Sequence, residues 1–350
     1  IRPFASTLLF FVIAGLIGGC ANRARAKPQA EAGVLNLQGY DIARQGPVAL
    51  DGQWEFYYGL FVAPQKFSVP PPNGMLIPVP DSWNHHTFGG KKMRADHFAT
   101  YRLRIRLPEA APADFPLSLR LDTAGTAYTL FINGRHAVSA GKPGTSLADS
   151  RGAYKVLTLP AMPERGEIEL VFHISNYLHR SGGLWFSHYL GTVEQINRIR
   201  EKGLFADAIL LGALFIIGFY HLALFFNRRQ ELPVLHFGLF CLMVAFRVPF
   251  TGEFFLTQLF PEFPLDLQLR FEYTTVYITP VFIIAFIAYA YAEKTRKFIL
   301  CYSWIVALLF FATVLLFQPF VFTGFILFYY LFLMTIVVWA LGTMGVAVWR

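Results

Sequence analysis

Charged residues are scarce in this chain, and cysteine is scarcer still. Asp, Glu, Lys and Arg make up 15% of the 350 residues, against about 25% in a typical soluble domain. Together with a hydrophobic share of 55%, this excludes a wholly water-soluble protein and predicts that part of the chain lies in lipid. The three cysteines, Cys20, Cys241 and Cys301, lie in apolar stretches. No disulfide framework is therefore predicted for a soluble domain.

Motifs for catalysis and cofactor binding are also missing from the sequence. It contains no recognisable phosphate-binding loop, nucleophile–base pair or metal-spaced cluster of His and Cys. The adjacent His85 and His86 point in opposite directions on an extended chain, so we expect no metal and no other cofactor. The net charge of +8 is spread over strands and short loops instead of forming a stripe, which argues against nucleic-acid binding.

A short apolar run near the N-terminus has the features of an export signal. An arginine precedes the run at residues 8–18, and Ala24-Arg25-Ala26 offers a small-x-small cleavage pattern. We therefore interpret residues 1–26 as a signal peptide. Residues 17–20 instead resemble a lipobox, which would leave Cys20 lipidated, and an uncleaved anchor is a third interpretation. All three predict export of the region that follows.

Residues 27–203 carry the alternating pattern of β-strands. Residues 101–107 alternate apolar side chains with three arginines, and residues 117–121, 128–132 and 167–174 repeat the alternation. Many short strands with turn residues between them, and no helical period, predict an all-β sandwich. The arginine face at 101–107 is expected to be solvated, as one face of an antiparallel sheet usually is.

Residues 204–350 contain apolar segments of membrane-spanning length. There are five of them, at residues 206–226, 234–250, 274–292, 299–317 and 321–349. Arg228-Arg229 follows the first segment and residues 294–297 (KTRK) follow the third, whereas the loop at 251–273 is acidic. The positive-inside rule then places the basic loops in the cytoplasm and the β domain outside, in agreement with the export signal.

Four short motifs occur in an order that resembles a known architecture. They are GQWEFY at 52–57, VPDSWN at 79–84, ATYR at 99–102 and LFING at 130–134. This succession resembles the galactose-binding-like jelly roll at the front of family 2 glycoside hydrolases. It is also similar to the extracytoplasmic jelly rolls of bacterial seven-transmembrane receptors with diverse intracellular signalling modules. The stretch SNYLHRSGGLW at 175–185 leads into the membrane region and favours the receptor. A hydrolase would need a catalytic barrel with two carboxylates, for which no room remains.

The resemblance implies an all-β jelly-roll sandwich followed by an all-α polytopic bundle in the bacterial inner membrane, with the sandwich in the periplasm. The family has seven spans and a cytoplasmic cyclase, kinase or phosphatase module. We therefore expect the chain to be a fragment or a truncated member without enzymatic activity of its own. Its expected partners are membrane lipid and a small ligand, with carbohydrate as the favoured class, and a homodimer is left open.

Loop residues with aromatic and polar side chains are the candidates for ligand binding. Trp83, Asn84, His179, Arg180 and Trp185 combine aromatic faces with the polar groups that sugar recognition uses. For the two tryptophans, packing in the core of the sandwich is an interpretation of equal weight.

Two ionisable residues in the apolar segments are candidates for coupling between helices. Arg247 lies near the outer end of its segment, where snorkelling to the interface is the favoured interpretation. The alternative is an ion pair with Glu253 or Glu272. His221 is expected to pack or form a hydrogen bond between helices.

Taken together, these patterns predict a transmembrane signalling receptor. Its outer sandwich would sense a small ligand and relay the change through the helices to a cytoplasmic output module. Two other classes stay open. One is a transporter or envelope-assembly protein with an accessory β domain, for which Pro280 is the main sign of an interrupted helix. The other is a partner-docking module without a small ligand.

Overall fold

A β-sandwich and five long helices make up the computed structural model, which describes residues 27–68, 71, 73–108 and 116–349. The prediction of an all-β first half and an all-α second half is confirmed. The predicted signal peptide at residues 1–26, including Cys20, lies outside the described residues.

Two main sheets form the sandwich. The strands are, in chain order, β1 (Val34–Asn36), β2 (Val48–Ala49), β3 (Gly52–Tyr58), β4 (Met75–Val79), β5 (Thr87–Phe88), β6 (Lys91–Lys92), β7 (His97–Arg106), β8 (Leu117–Leu121), β9 (Ala127–Ile132), β10 (Arg135–Ala140), β11 (Leu157–Pro160), β12 (Glu167–Asn176) and β13 (Tyr189–Thr192). The larger sheet has the order β10-β9-β12-β7-β3-β4, with β1 parallel to the end of β7. The smaller sheet has the order β11-β8-β13-β2, and its pairings are antiparallel.

The core lies between the two sheets because apolar side chains alternate toward it. Leu103 and Ile105 of β7 face Leu119 and Leu121 of β8 within one cluster, and none of the four has exposed surface. Burial of each such side chain stabilises the fold by about 1.5–3 kcal/mol. Trp54 is also fully buried, and its indole N–H donates to the Leu50 carbonyl at 2.8 Å.

The outer face of β7 is less solvated than the alternation predicts. Arg102 is 9% exposed, and it forms ion pairs with Glu55 at 3.1 Å and with Glu169 at 2.6 Å. Its guanidinium also lies 4.4 Å from the centroid of the Phe67 ring. Arg106, at the end of the strand, is exposed as expected. The prediction of a solvated face was wrong for Arg102 because a turn distant in sequence covers that part of the strand.

Among the described residues, five helical spans are long and apolar enough to cross a membrane, and their number agrees with the sequence. Their main helices are α1 (Val193–Asn227), α2 (Leu232–Arg247), α3 (Leu265–Tyr291), α4 (Arg296–Leu316) and α5 (Ile326–Trp349). The second span continues to Phe250, and the fifth begins at Pro319. Short helical turns also occur at Ile42–Gln45, Phe255–Leu259 and Pro319–Gly324. The helices run up and down, so the loop between α2 and α3 and the turn between α4 and α5 return to the sandwich.

Helix α1 is continuous from the sandwich into the bundle. It begins at a capping box: the Thr192 hydroxyl accepts from the Gln195 N–H, and the Gln195 side chain accepts from the Thr192 N–H. Its 35 residues extend about 52 Å at 1.5 Å per residue, well beyond the ~30 Å of a bilayer core. The polar first turns therefore stand outside the membrane, and the predicted domain boundary after Gly203 falls within this helix.

Candidate functional site: the interface between sandwich and helices

Arg120 lies on the outer face of the smaller sheet, yet it is only 7% exposed. Its neighbours Leu119 and Leu121 belong to the core, so the alternation of β8 directs Arg120 away from the core. The guanidinium makes two hydrogen bonds to Glu253, from Nη2 to Oε1 at 2.7 Å and from Nη1 to Oε2 at 3.1 Å. Glu253 lies in the loop between α2 and α3. This bidentate pair therefore joins the sandwich to the bundle.

The position of Glu253 is fixed by α1 and by its own loop. Glu253 is 6% exposed, and its backbone N–H donates to Oδ2 of Asp207 on α1 at 3.0 Å. Gly203, one turn earlier on α1, leaves room for the carboxylate, since a Cβ there would lie 2.1 Å from Glu253 Oε1. Gly252 has a φ of +63° and lies against the Asp207 carboxylate. The strand β8, the helix α1 and this loop thus meet at one buried ion pair.

A buried histidine and a carboxyl group adjoin this ion pair. His188 is only 1% exposed, and its Nδ1 accepts a hydrogen bond from the Asp122 N–H at 3.1 Å. Burial lowers the pKa of His188 to about 4, so the imidazole is neutral at neutral pH. Burial raises the pKa of the Asp122 carboxyl, an effect that the nearby Arg120 charge opposes. The neutral His188 and the Asp122 carboxyl thus lie beside the pair on the side of the sandwich.

The segment at residues 177–185 makes a second contact with the helices. His179 Nε2 lies 3.3 Å from the hydroxyl of Tyr273 on α3, and the Arg180 N–H donates to Thr323 Oγ1 at 3.0 Å. Burial lowers the pKa of His179 to about 4, so it too is neutral. Two residues predicted to bind ligand thus contact the bundle directly.

Trp185 packs in an aromatic cluster between the sandwich and the bundle. Its ring centroid lies 4.6 Å from that of His179 and 6.0 Å from that of Tyr154, which in turn lies 5.6 Å from Phe254. Gly125 allows this close approach, since a Cβ there would lie 2.2 Å from the Trp185 ring. Because Phe254 follows Glu253, this cluster connects residues 177–185 with the loop that carries Glu253.

Trp83, in the core of the sandwich, and the half-buried Asn84 hold the turn of this segment. Trp83 has no exposed surface, and its indole N–H donates to the Arg94 carbonyl at 2.9 Å. Its ring occupies the space beside Gly182, where a Cβ would approach to 2.3 Å. Asn84 Oδ1 accepts from the Gly182 N–H at 3.0 Å. The structure therefore brings His179, Arg180 and Trp185 to the interface, and it places Trp83 and Asn84 behind them.

Arg247 links two helices of the bundle. Its Nη2 donates to Glu272 Oε1 at 3.1 Å, and its Nη1 donates to Thr275 Oγ1 at 3.1 Å. Of the two interpretations offered by the sequence, the structure shows the ion pair with Glu272, and snorkelling of the same side chain to the interface stays a prediction. Because Glu272 precedes Tyr273 on α3, this pair adjoins the contact made by His179.

His221 lies between α1 and α2, deeper in the bundle. Its Nδ1–H donates to the Ile217 carbonyl of its own helix at 2.8 Å, and its ring lies 4.8 Å from that of Phe237 on α2. The hydrogen bond is thus within α1, and the contact between helices is one of packing.

The ion pair of Arg120 and Glu253 was missed by the sequence analysis. Its two members are 133 residues apart, and no local spacing connects them. The available signals were an arginine within the apolar strand LSLRL and a carboxylate in the loop after the second apolar segment.

The adjacent histidines, His85 and His86, share one carboxylate partner. Both rings contact Asp81, with His85 Nδ1 at 2.7 Å and His86 Nε2 at 2.9 Å from its two carboxylate oxygens. Over the part of the chain that the structure describes, no group of three His, Cys, Asp or Glu residues could hold a metal ion.

Comparison with known families bears on the helical half of the chain. Residues 204–350 match the model of the family described as 7TM diverse intracellular signalling. The resemblance predicted from the sequence is therefore confirmed for this region. Among curated proteins, no sequence matches this chain.

Solved structures of glycoside hydrolases are similar to part of the chain. A β-glucuronidase from an uncultured Clostridium is 17% identical with a TM-score of 0.33, covering 41% of this chain and 28% of the enzyme. A family 2 glycosyl hydrolase from Bacteroides cellulosilyticus is 16% identical with a TM-score of 0.33, and the match covers 41% of this chain and 20% of the enzyme. A β-glucuronidase from Faecalibacterium prausnitzii is 14% identical with a TM-score of 0.33, and the match covers 41% of this chain and 31% of the enzyme. The matched region thus spans less than a third of each enzyme.

Proposed function

We propose that this chain is the sensory part of a transmembrane signalling receptor, in which the sandwich binds a small ligand and the interface passes the change to the helices. A multi-pass membrane protein with a signalling-family helical region is the firm basis for this proposal. The observation that carries it is the buried pair of Arg120 and Glu253, which connects the sandwich, α1 and the loop to α3.

A buried ion pair suits a relay because it tolerates few geometries. Its attraction offsets the cost of removing both charges from water only while the bidentate contact holds. A small displacement of β8 would therefore favour a different packing of α1 and the loop. A ligand produces such a shift only if it binds one of the two arrangements more tightly than the other.

The charges at the far end of the bundle support an inward direction of signalling. Arg228-Arg229 and residues 294–297 lie in the loops remote from the sandwich. The positive-inside rule supports a cytoplasmic position for these loops. We therefore place the sandwich in the periplasm, the bundle in the inner membrane, and the output module on the cytoplasmic side.

The ligand class that we propose is a small polar solute, with carbohydrate favoured. Trp185, His179 and Arg180 offer an aromatic face, an imidazole and a guanidinium close together at the interface. This combination suits a ring with one apolar side and several hydroxyls. We assign the chain a role in sensing, with any catalysis left to a separate cytoplasmic module.

Hydrogen exchange on the chain in lipid nanodiscs tests the proposal. A thermal-shift screen with neutral and charged sugars first selects a binder at millimolar concentration. We expect that binder to change exchange in β8 and also in the loop at 251–254. In Glu253→Gln, which keeps the shape and removes the charge, the change in β8 should persist and the change in the loop should be lost.

Two results would overturn this function. One is a screen in which no solute raises the melting temperature of the wild-type chain. The other is a binder whose effect on exchange stops at the sandwich in the wild type. Arg106→Gln, which alters an ion pair on the exposed face of β7, serves as the matched control and should behave as the wild type.

A further inference from the structure

A cleft of about 520 Å³ lies between the sandwich and the loop that leads into α3. Its sandwich wall includes Lys142, Arg151 and Lys155, and residues 261–265 of the loop form the opposite wall. A volume of this size falls within the range of small-molecule sites, about 300–1,000 Å³. The cleft is separate from the buried ion pair and has a different chemical character.

The backbone forces two of the three basic residues together. Lys142 and Arg151 exchange N–H···O=C hydrogen bonds in both directions, each at 2.8 Å. Side chains directly opposite each other in such a pair lie on the same side, and like charges there are destabilising. Gly141 permits this turn: its φ is +71°, and a Cβ would lie 2.1 Å from the Arg151 carbonyl oxygen. Two positively charged, exposed side chains thus extend from paired backbone positions at the cleft.

No carboxylate of the described chain neutralises these charges. Arg102, Arg106 and Arg120 each form an ion pair with a glutamate. By contrast, within the described residues the side chains of Lys142, Arg151 and Lys155 have no ion pair and no hydrogen bond. Glu262 lines the other wall, and it too has no ion pair there. Three basic groups face one carboxylate, which leaves a net positive cleft.

We propose that this cleft binds the oxyanion group, a carboxylate or a phosphate, of a small ligand. The oxyanion would lie against Lys142 and Arg151, where it removes their mutual repulsion and accepts charge-assisted hydrogen bonds. Glu262 on the opposite wall is placed to accept hydrogen bonds from hydroxyl groups of the same ligand. An anionic sugar derivative or hydroxy acid has this combination, and so does a phospholipid headgroup.

The position of the cleft connects it to the relay, and this step rests on the proposed function. The sandwich and α3 touch at the cleft, since a Cβ on Gly152 would lie 2.5 Å from Leu265 Cδ2. A ligand held by both walls would favour one spacing between the sandwich and the first turn of α3. Occupancy of the cleft thereby biases the two arrangements of the interface.

Calorimetric titration of the full chain in nanodiscs of neutral lipid tests this site. The probes are glucose 6-phosphate, gluconate and inorganic phosphate, with glucose as the neutral counterpart. We expect at least one anion to bind more tightly than glucose by tenfold or more, with affinity falling as salt rises. The Lys142→Gln/Arg151→Gln variant should lose at least tenfold in that affinity. Lys91→Gln/Lys92→Gln, which alters two exposed lysines of β6, should lose none.

A second arm replaces the soluble anion by an anionic lipid. If the ligand is a headgroup, the melting temperature of the wild type will rise with the share of phosphatidylglycerol in the nanodisc. The cleft variant will then show no such rise, and the soluble anions will not bind. The site is overturned if neither source binds, or if the cleft variant binds as the wild type does. If binding requires Lys142 and Arg151 but leaves exchange at residues 251–254 unchanged, the relay is wrong and the site stands.

Discussion

At the scale of single residues, two Arg–Glu ion pairs of this protein differ in how deeply they are buried. The side chains of Arg120 and Glu253 are each 8% exposed, whereas those of Arg106 and Glu167 are 46% and 44% exposed. Loss of one member of a buried pair leaves the other charge without a partner in a dry site, at a cost of about 3–5 kcal/mol. An exposed pair contributes about 0.2–1 kcal/mol because water and salt screen it.

Glu253→Ala should lower the free energy of unfolding by about 3–5 kcal/mol, because it leaves the Arg120 guanidinium buried and unpaired. Arg106→Ala should lower it by less than about 1 kcal/mol. Denaturant unfolding of the purified chain in detergent measures both. The Arg120→Ala/Glu253→Ala double variant should recover part of the loss. Equal losses for Glu253→Ala and Arg106→Ala would contradict the contribution of the buried pair.

His188 should make the stability of the sandwich depend on pH. Its pKa is about 4 in the fold against the ordinary 6.5, so between these values the unfolded chain binds a proton that the buried imidazole does not. Stability is therefore full above pH 6.5 and is lost as pH falls to about 4, by roughly 3 kcal/mol in total. Melting temperatures from pH 7 to pH 4 measure this loss. His188→Gln keeps an acceptor for the Asp122 N–H and should reduce the slope, while His179, whose pKa burial also lowers to about 4, maintains the remainder; an unchanged slope would refute the assignment.

At the scale of elements, α1 belongs to both halves of the molecule. Its capped start packs on the smaller sheet, and its apolar part crosses the bundle without interruption. A helix is stiff along its axis, so a displacement of its first turns is carried into the membrane. The contact with the loop before α3 depends on Gly203, because a side chain at this position would occupy the space of the Glu253 carboxylate.

Gly203→Ala should disturb this contact, because its Cβ would lie 2.1 Å from Glu253 Oε1. The flexible end of a glutamate usually moves aside, but here Arg120 holds it by two hydrogen bonds. We expect a loss of about 1–3 kcal/mol, in the range of overpacked sites, as measured by denaturant unfolding in detergent. Gly212→Ala, on the same helix with no atom within 4 Å of its Cβ, is the control and should cause no loss. Equal effects would mean that helix propensity, and not the ion pair, governs Gly203.

At the scale of the whole molecule, two contacts hold the sandwich against the bundle in addition to α1 and to the packing of Gly152 on Leu265 at the cleft. One is the buried pair with its loop, and the other is the contact of residues 177–185 with α3 and with the turn Pro319–Gly324. Trp185 lies between them in the aromatic cluster. Two separate contacts can respond to different displacements, which a single attachment at α1 could not do.

Trp185→Ala should loosen the second contact without unfolding the sandwich. Hydrogen exchange should increase in the first turns of α3 and in the turn Pro319–Gly324, because the aromatic cluster that joins them is lost. Strands β7 and β12, whose side chains fill the core of the sandwich, should stay protected. Trp185→Phe should retain most of the protection. Exchange that increases throughout the sandwich would show that Trp185 supports the core and not the interface.

Much of the architecture was accessible from local pattern. The alternation of 101–107 and 117–121 depends only on neighbours along the chain, and so does the count of five apolar helices. The candidate ligand-binding residues were selected by chemical type alone, which does not reveal how deeply a side chain is buried. Trp83 and Trp185 read alike in sequence, yet one is fully buried in the sandwich and the other packs at the interface. Arg102 was expected in solvent for the same reason.

Local sequence pattern was enough to predict which parts of this protein are strand and which are membrane helix, because hydrophobic periodicity and run length are local properties. It also determined the resemblance to a signalling family that the helical region matches. Where the two halves meet is a property of the folded molecule alone. The pairing of Arg120 with Glu253 and the facing walls of the basic cleft join residues more than a hundred positions apart. Such contacts follow from how complete elements pack, and no spacing along the chain encodes them.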